Sequence, residues 1–385
     1  MASPGSPEAT VEWVDTKRYL WLLGVIIPLL PLAAMGLYAM SDLTVFLWIG
    51  PIVVYGVIPV VDLAIGRDAE NPPDELLRSL EEDRYYRWCV YAYLPVQFVS
   101  LVAACWLAGS GTLTPLGYLG LALTTGVMAG IAINTAHELG HKKESVERRL
   151  SKIALAQSFY GHFYIEHNRG HHVRVATPED PASSRLGESF WRFLPRSVWG
   201  SLTSAWRLER TRLARGGSSP WTIRNDVLNA WLMSVVLWGV LIAAFGPRII
   251  PFLLIQAVFG FSLLEVVNYI EHYGLARRRE PGGRYERCAP RHSWNSNNVA
   301  TNLLLFHLQR HSDHHANPTR RYQALRHVDE APQMPSGYAA MITVAYVPPL
   351  WRWLMDRRVL AHYGGDASLA NVRPGREARY GVAAG

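Results

Sequence analysis

Imidazole is the commonest side-chain metal ligand, and nine of this chain's 14 histidines fall into four short groups. His311, His314 and His315 lie within five residues. His137 and His141 flank Glu138-Leu139-Gly140. His167, His171 and His172 share a second stretch, and His272 stands alone in Asn268-Tyr269-Ile270-Glu271-His272-Tyr273-Gly274. On a helix, residues three or four apart share a face, about one turn or ~5.4 Å apart. His137 with His141, His167 with His171, and His311 with His314 or His315 are spaced this way. A metal could sit between the members of each pair.

The first group, H-E-x-x-H, matches the zinc-protease pattern, in which Glu138 would be the general base. Ligand arithmetic counts against that reading. A catalytic zinc takes three protein ligands and keeps one position open, which leaves most of the other clustered histidines unexplained. Nine neutral imidazoles exceed the four to six ligands of one ion and suit two ions at four or five each. Imidazole serves zinc, copper, iron and nickel, and two metals beside an apolar cavity suggest oxygen activation by iron. Carboxylates beside such a site suit the other ring N–H of each ligand. Glu138, Glu166, Glu271 and Asp313 lie next to or within the groups, and Glu265 lies one or two helical turns before His272. His162, His292, His307, His327 and His362 are read as bystanders.

These residues need elements to bring them together. Hydrophobic residues make up 49% of the chain and are concentrated in blocks. A membrane-spanning helix needs ~20 mostly apolar residues, and six stretches qualify: 19–40, 43–65, 88–108, 113–136, 227–246 and 249–270. The fourth runs directly into His137 and the sixth into Glu271-His272, so the site belongs at one membrane boundary. Asp62 and Glu265 are charged residues inside spans, with Asp62 near enough to an end to reach the headgroups. The loops at 41–42 and 109–112 carry no Lys or Arg, whereas 137–226 and 271–385 are rich in arginine. The positive-inside rule therefore places both ends and both long segments in the cytoplasm, and it accounts for much of the net charge of +7 without invoking nucleic acid. Residues 188–213 alternate apolar and basic positions as a helix lying on the bilayer surface would. Residues 338–355, divided by Pro348-Pro349, are too short to span and are expected to dip into the interface. The expected fold is an all-α membrane protein: six transmembrane helices and a cytoplasmic helical cap carrying the histidines. Residues 1–15 are expected to be a disordered start, 16–360 a single integral-membrane domain and 361–385 a flexible tail or linker.

Three cysteines without C-x-x-C spacing provide no iron–sulfur, rubredoxin-type or zinc-ribbon site, and no G-x-G-x-x-G follows a strand-like run. No electron-carrier motif lies within these residues, so reductant for any redox chemistry is expected to arrive from outside them. A metal transporter or sensor would need polar groups along its spans, and these spans are nearly all apolar.

Taken together, His137-Glu-Leu-Gly-His141-Lys142, Glu166-His167-Asn-Arg-Gly-His171-His172, Asn268-Tyr-Ile-Glu-His272-Tyr-Gly-Leu275 and Leu308-Gln-Arg-His311-Ser-Asp-His314-His315 resemble the membrane-bound alkane monooxygenases. Three of these stretches are similar to those of membrane fatty-acid desaturases too. The Asn-Tyr-x-Glu-His-Tyr-Gly stretch discriminates, being shared with alkane and xylene monooxygenases. The resemblance covers about residues 15–360. It implies a non-haem di-iron centre ligated by the nine histidines. It further implies hydroxylation of the terminal carbon of medium-chain n-alkanes with O2, using electrons from rubredoxin fed by rubredoxin reductase, at a bacterial inner membrane. A desaturase on the same scaffold is the alternative. Rubredoxins are acidic, so Arg169, Arg174, Arg310, Arg320 and Arg321 are candidate docking residues. Trp21, Trp48 and Tyr55 are candidate end-stops for the alkane, although ordinary packing is the readier explanation of each.

Overall fold

The computed structural model describes residues 13–382, so the expected disordered start falls almost wholly outside the described residues. Two of the three it includes are anchored: Trp13 Nε1 donates to Glu70, and Asp15 accepts from Trp21 and Tyr86. The secondary structure is helical, and among the described residues strand pairing is limited to isolated bridges.

Six helices are long and apolar enough to cross a membrane: α1 (Arg18–Ser41), α2 (Thr44–Ile65), α3 (Arg84–Gly109), α4 (Pro115–Gly140), and, later in the chain, Asp226–Phe245 and Pro247–His272. Between them lie α5 (Ser145–Leu155), α6 (the continuous segments Phe163–Glu166, His167–His171 and His172–Arg174) and α7 (Phe190–Arg215). The last two spans are therefore α8 and α9. After them come α10 (Val299–Leu304), α11 (His311–Ala316), α12 (Tyr338–Ala345) and α13 (Pro348–His362). The chain is a multi-pass membrane protein. Its outer spans α2 and α8 expose apolar side chains such as Val60, Leu63, Val235 and Val240, as lipid-facing helices do.

α4 is the central post, enclosed on nearly every side. It packs against α9 through glycine. A Cβ on Gly130 would lie 2.8 Å from the Gly260 carbonyl oxygen, and one on Gly260 would lie 3.1 Å from the Gly126 carbonyl oxygen. Gly126 and Gly130 sit one turn apart, and small residues at that spacing let spanning helices approach backbone to backbone. This contact brings together the two spans that end in His137 and His272.

Three expectations change once the tertiary contacts are known. Asp62 does not reach the headgroups. It is buried, its Oδ1 accepts from Thr301 N at 2.9 Å and its Oδ2 from the Thr301 hydroxyl, so it caps the start of α10 from a different helix. Residues 338–355 do not simply dip into the interface: Tyr338, Met341, Ile342 and Trp351 join a core with Tyr269 and Tyr273 of the α9 end, and Trp353 alone of the tryptophans there is exposed. The stretch expected to be a flexible tail is bonded to the body as far as it is described. Asn371 N donates to Gly274 O, Leu186 N donates to Asn371 O, and the Tyr380 hydroxyl donates to Asp356. On α7, the buried face is Phe193, Ser197, Ser201, Ser204 and Ala205, while Trp191 and Trp199 point outward as a surface-lying helix requires.

Candidate metal centre

The last turn of α4 carries His137 and presents His141 just beyond it, so the four-residue spacing works as the sequence suggests. Elsewhere the backbone changes the pairing. Residues His167–His171 form a π-helical turn. The wider turn brings His167 and His172, five apart, onto one side, with Nε2 atoms 3.0 Å apart, and sends His171 to the other. On α11, His311 and His315 pair across one turn at 2.9 Å, while His314 joins the other group. α11 is reached through Phe306 and His307, two consecutive residues at φ 51° and 54°, a left-handed bend that turns the chain back from α10.

The nine side chains thereby form two adjoining groups: His137, His141, His167, His172 and His314 in one, and His171, His272, His311 and His315 in the other. Within each group, one nitrogen per ring lies within 4.8 Å of all the others. The Nε2 atom of His314 is 2.9 Å from that of His137 and 3.2 Å from that of His172. The Nε2 atom of His311 is 3.3 Å from that of His272. His172 and His315 rings, from different groups, are 4.4 Å apart between centroids. In the five-histidine group His141 and His172 are half-buried; the four-histidine group is buried throughout.

Burial holds His141, His167, His172, His311, His314 and His315 well below the ordinary imidazole pKa, with neighbouring imidazoles adding to the effect. Between neutral imidazoles facing one another nitrogen to nitrogen, one proton can satisfy one contact, and nitrogens left without it repel through their lone pairs. His141 Nε2 and His171 Nε2 are buried with no protein hydrogen-bond partner. Ligands at ~2.0–2.1 Å from one ion stand about 3 Å apart, which is the spacing seen here. The donor set fits one metal cation per group.

The carboxylates are distributed differently from the expectation that each would receive a ring N–H. Glu138 pairs with Lys142 at 2.9 Å and accepts from Tyr322 N. Glu166 pairs with Arg174 at 2.5 Å and is pushed up to about 7 by burial, against the opposing pull of that guanidinium. Asp313 accepts from Arg320 at 2.7 and 2.8 Å, and Glu265 from the Tyr160 hydroxyl at 2.7 Å. Only Glu271, of these five, contacts a cluster histidine among the described residues, with Oε2 3.2 Å from His311 Nε2. Sequence reasoning missed Asp180. His171 Nδ1 donates to its Oδ2 at 2.9 Å, and Ser183 and Ala182 N hold the same carboxylate. Its position in Thr177-Pro178-Glu179-Asp180-Pro181, a turn-forming run nine residues after His171, was the available signal. His272 Nδ1 approaches the carbonyl of His292 at 3.4 Å.

His162, His292, His307, His327 and His362 lie outside both groups. His307 Nδ1 donates to Tyr322 O, 2.9 Å away, and the ring packs on Trp21. The five arginines expected to serve as docking residues have internal partners. Arg169 pairs with Glu209 and Asp226, Arg174 with Glu166, Arg320 with Asp313, and Arg321 with Glu144 and Glu147. Arg310 is buried and donates to the carbonyls of Leu325, Glu70 and Asp68.

An apolar cavity lies between the spans. Ile58, Ile131, Leu264, Leu304, Ala339 and Ile342 are among its walls. Asn134, Val267 and Leu308 also line it, and each is three to five residues from a cluster histidine, His137, His272 and His311 respectively. Trp21, Trp48 and Tyr55 do not line it. They bond instead to Asp15, to Leu116 O and to Tyr346.

A membrane bundle with histidine groups at the ends of its spans defines a class, and the fatty acid desaturase family model matches residues 112–345. Within that class the comparisons are narrower. The chain is 48% identical to an alkane 1-monooxygenase of Acinetobacter baylyi, over 95% of this chain and 90% of the relative. It is 46% identical to alkane 1-monooxygenase 1 of Alcanivorax borkumensis, over 98% and 95%. A hydroxylase component of xylene/toluene monooxygenase from Pseudomonas putida is 28% identical over 62% of this chain. The chain belongs to the alkane 1-monooxygenase family.

Proposed function

We propose that this protein hydroxylates the terminal carbon of medium-chain n-alkanes at two iron ions, one in each histidine group, using O2 and electrons from reduced rubredoxin. The single observation that supports it most is the pair of convergent histidine groups beside an apolar cavity between membrane spans. A pair of irons bound there would supply reductive activation of O2. The rest of the work falls to the chain's own residues. Apolar walls hold an alkane that arrives from the bilayer. Burying a CH2 from water is worth ~0.8 kcal/mol, but almost nothing from lipid, so chain-length choice comes from cavity shape. The same walls exclude water, and no acid or base need touch the substrate. The balance is alkane, O2, two electrons and two protons giving alkanol and water.

The histidine end of the bundle faces the cytoplasm of the inner membrane in this reading, where a soluble carrier can reach it. Rubredoxin then docks near half-buried His141 and His172. Lys143, Arg148 and Arg149 are exposed there and form no ion pair among the described residues, which fits an acidic partner. Two groups of five and four imidazoles count against a one-zinc protease.

The test is purified protein in lipid, analysed for metal and then given octane or dodecane, O2 and reduced rubredoxin. The expected result is two irons per chain and 1-alkanol. A lone zinc, or alkene in place of alkanol, overturns the proposal, and the alkene outcome would favour the desaturase reading that the broader family keeps open.

A further inference from the structure

The carboxylates around the histidine groups differ in one respect. Glu138, Glu166 and Asp313 each face a Lys or Arg, Asp180 faces His171 Nδ1 and the Ser183 hydroxyl, and Glu265 faces the Tyr160 hydroxyl. Glu271 has no such basic side chain beside it, and the Tyr338 hydroxyl in its neighbourhood donates to Trp294 O. Glu271 is 1% exposed, its Oε1 has no partner, and among the described residues no Lys or Arg lies within 4.0 Å of it. An isolated buried carboxylate is costly unless a cation accompanies it.

Its Oε2 points at the nitrogen where the four-histidine group converges. His311 Nε2 has three close neighbours: His315 Nε2 at 2.9 Å, Glu271 Oε2 at 3.2 Å and His272 Nε2 at 3.3 Å. A proton on that nitrogen can serve one acceptor, and three face it. A cation serves all four atoms at once, because donors ~2.0–2.2 Å from one ion stand about 3 Å apart at near-right angles. The last turn of α9 fixes the carboxylate's backbone, with Trp294 N donating to Glu271 O at 2.8 Å.

We propose that Glu271 is a direct metal ligand that completes the four-histidine group. The inference rests on the two-iron reading above. It gives each ion five protein donors: five imidazoles in one site, and four imidazoles and a carboxylate in the other. The two sites then differ by one unit of negative charge. The carboxylate-bearing site is also the more buried one, with Val267 of the cavity wall one turn back along α9.

The test uses whole protein in lipid loaded with 57Fe, read by iron count and Mössbauer spectroscopy, with thermal melting and size exclusion to check folding. Wild type is expected to give two irons and two distinct sites. Glu271→Gln keeps the shape and removes the charge; it is expected to lose one iron, or to shift the signal of one site only, with metal retention weakened by more than about 100-fold. Glu271→Asp is expected to retain part of the second iron. If Glu271→Gln keeps both irons with wild-type spectra, Glu271 is no ligand, while the two-iron reading stands. If wild type holds no iron, both fall. Should Glu271→Gln fail to fold, an experimental structure of iron-loaded wild type decides: Oε2 at ~2.0–2.2 Å from an ion supports the proposal, and beyond ~3 Å overturns it.

Discussion

Each ligating imidazole must present one nitrogen as a lone pair, and a partner on the other nitrogen fixes the ring and its tautomer. Asp180 does this for His171, and its own carboxylate is fixed by Ser183 and Ala182 N. Replacing Asp180 by Ala is expected to weaken metal retention by about 10–100-fold, measured by competition with a chelator. Replacing any of the nine histidines by Ala should abolish 1-alkanol formation, and a variant with full turnover would remove that residue from the ligand set. Arg310 adjoins His311 yet has a different task. Its guanidinium satisfies three backbone carbonyls from two distant segments, so Arg310→Ala leaves them buried and unpaired. Each unsatisfied group costs about 1–3 kcal/mol, which predicts a lower melting temperature. Lys, with a point charge in place of a planar fork, should not restore it.

Helices determine which histidines cooperate. The α4–α9 contact depends on glycine backbones touching, and those helices carry His137 and His272. Gly130→Leu would force them apart. Overpacking of this kind costs about 1–3 kcal/mol, and iron content should fall with it, because the groups on the two helices no longer share a boundary. A variant with normal melting and full iron would show that the close approach is dispensable. Asp62 performs the corresponding task for α10, a helix of six residues too short to hold its own start. Asp62→Ala removes a cap and leaves Thr301 unpartnered, an expected loss of about 1–2 kcal/mol seen in melting.

The molecule as a whole places an apolar cavity inside a bilayer and a polar metal-binding cap at one end of it. Alkane affinity relative to lipid is close to zero, so the cavity sorts substrates by length. Ala339 lines the wall opposite α4 and α9, and its small side chain leaves room. Ala339→Phe is expected to shift the product profile towards shorter alkanols, measured by gas chromatography on a mixture of chain lengths. An unchanged profile would place the substrate elsewhere.

The six spans, the four histidine stretches and the ends from which they project could be read directly from the sequence. Hydrophobic length is a local property, and a histidine placed just after a spanning run has nowhere to go but the boundary. The sorting of nine imidazoles into five and four was not legible. Spacing alone pairs His167 with His171; the π turn pairs it with His172, because one residue more per turn changes which side chains share a face. Arg169 and Arg321 looked free because their partners Glu209, Glu144 and Glu147 lie between 40 and 177 residues away in sequence. Composition made residues 361–382 look loose, and only the docked chain reveals the partners Gly274, Leu186 and Asp356. Sequence by itself determined which side chains gather into the histidine groups and that apolar spans lead into them. Tertiary structure decided which of them act together, since distance in space, not along the chain, sets who bonds to whom.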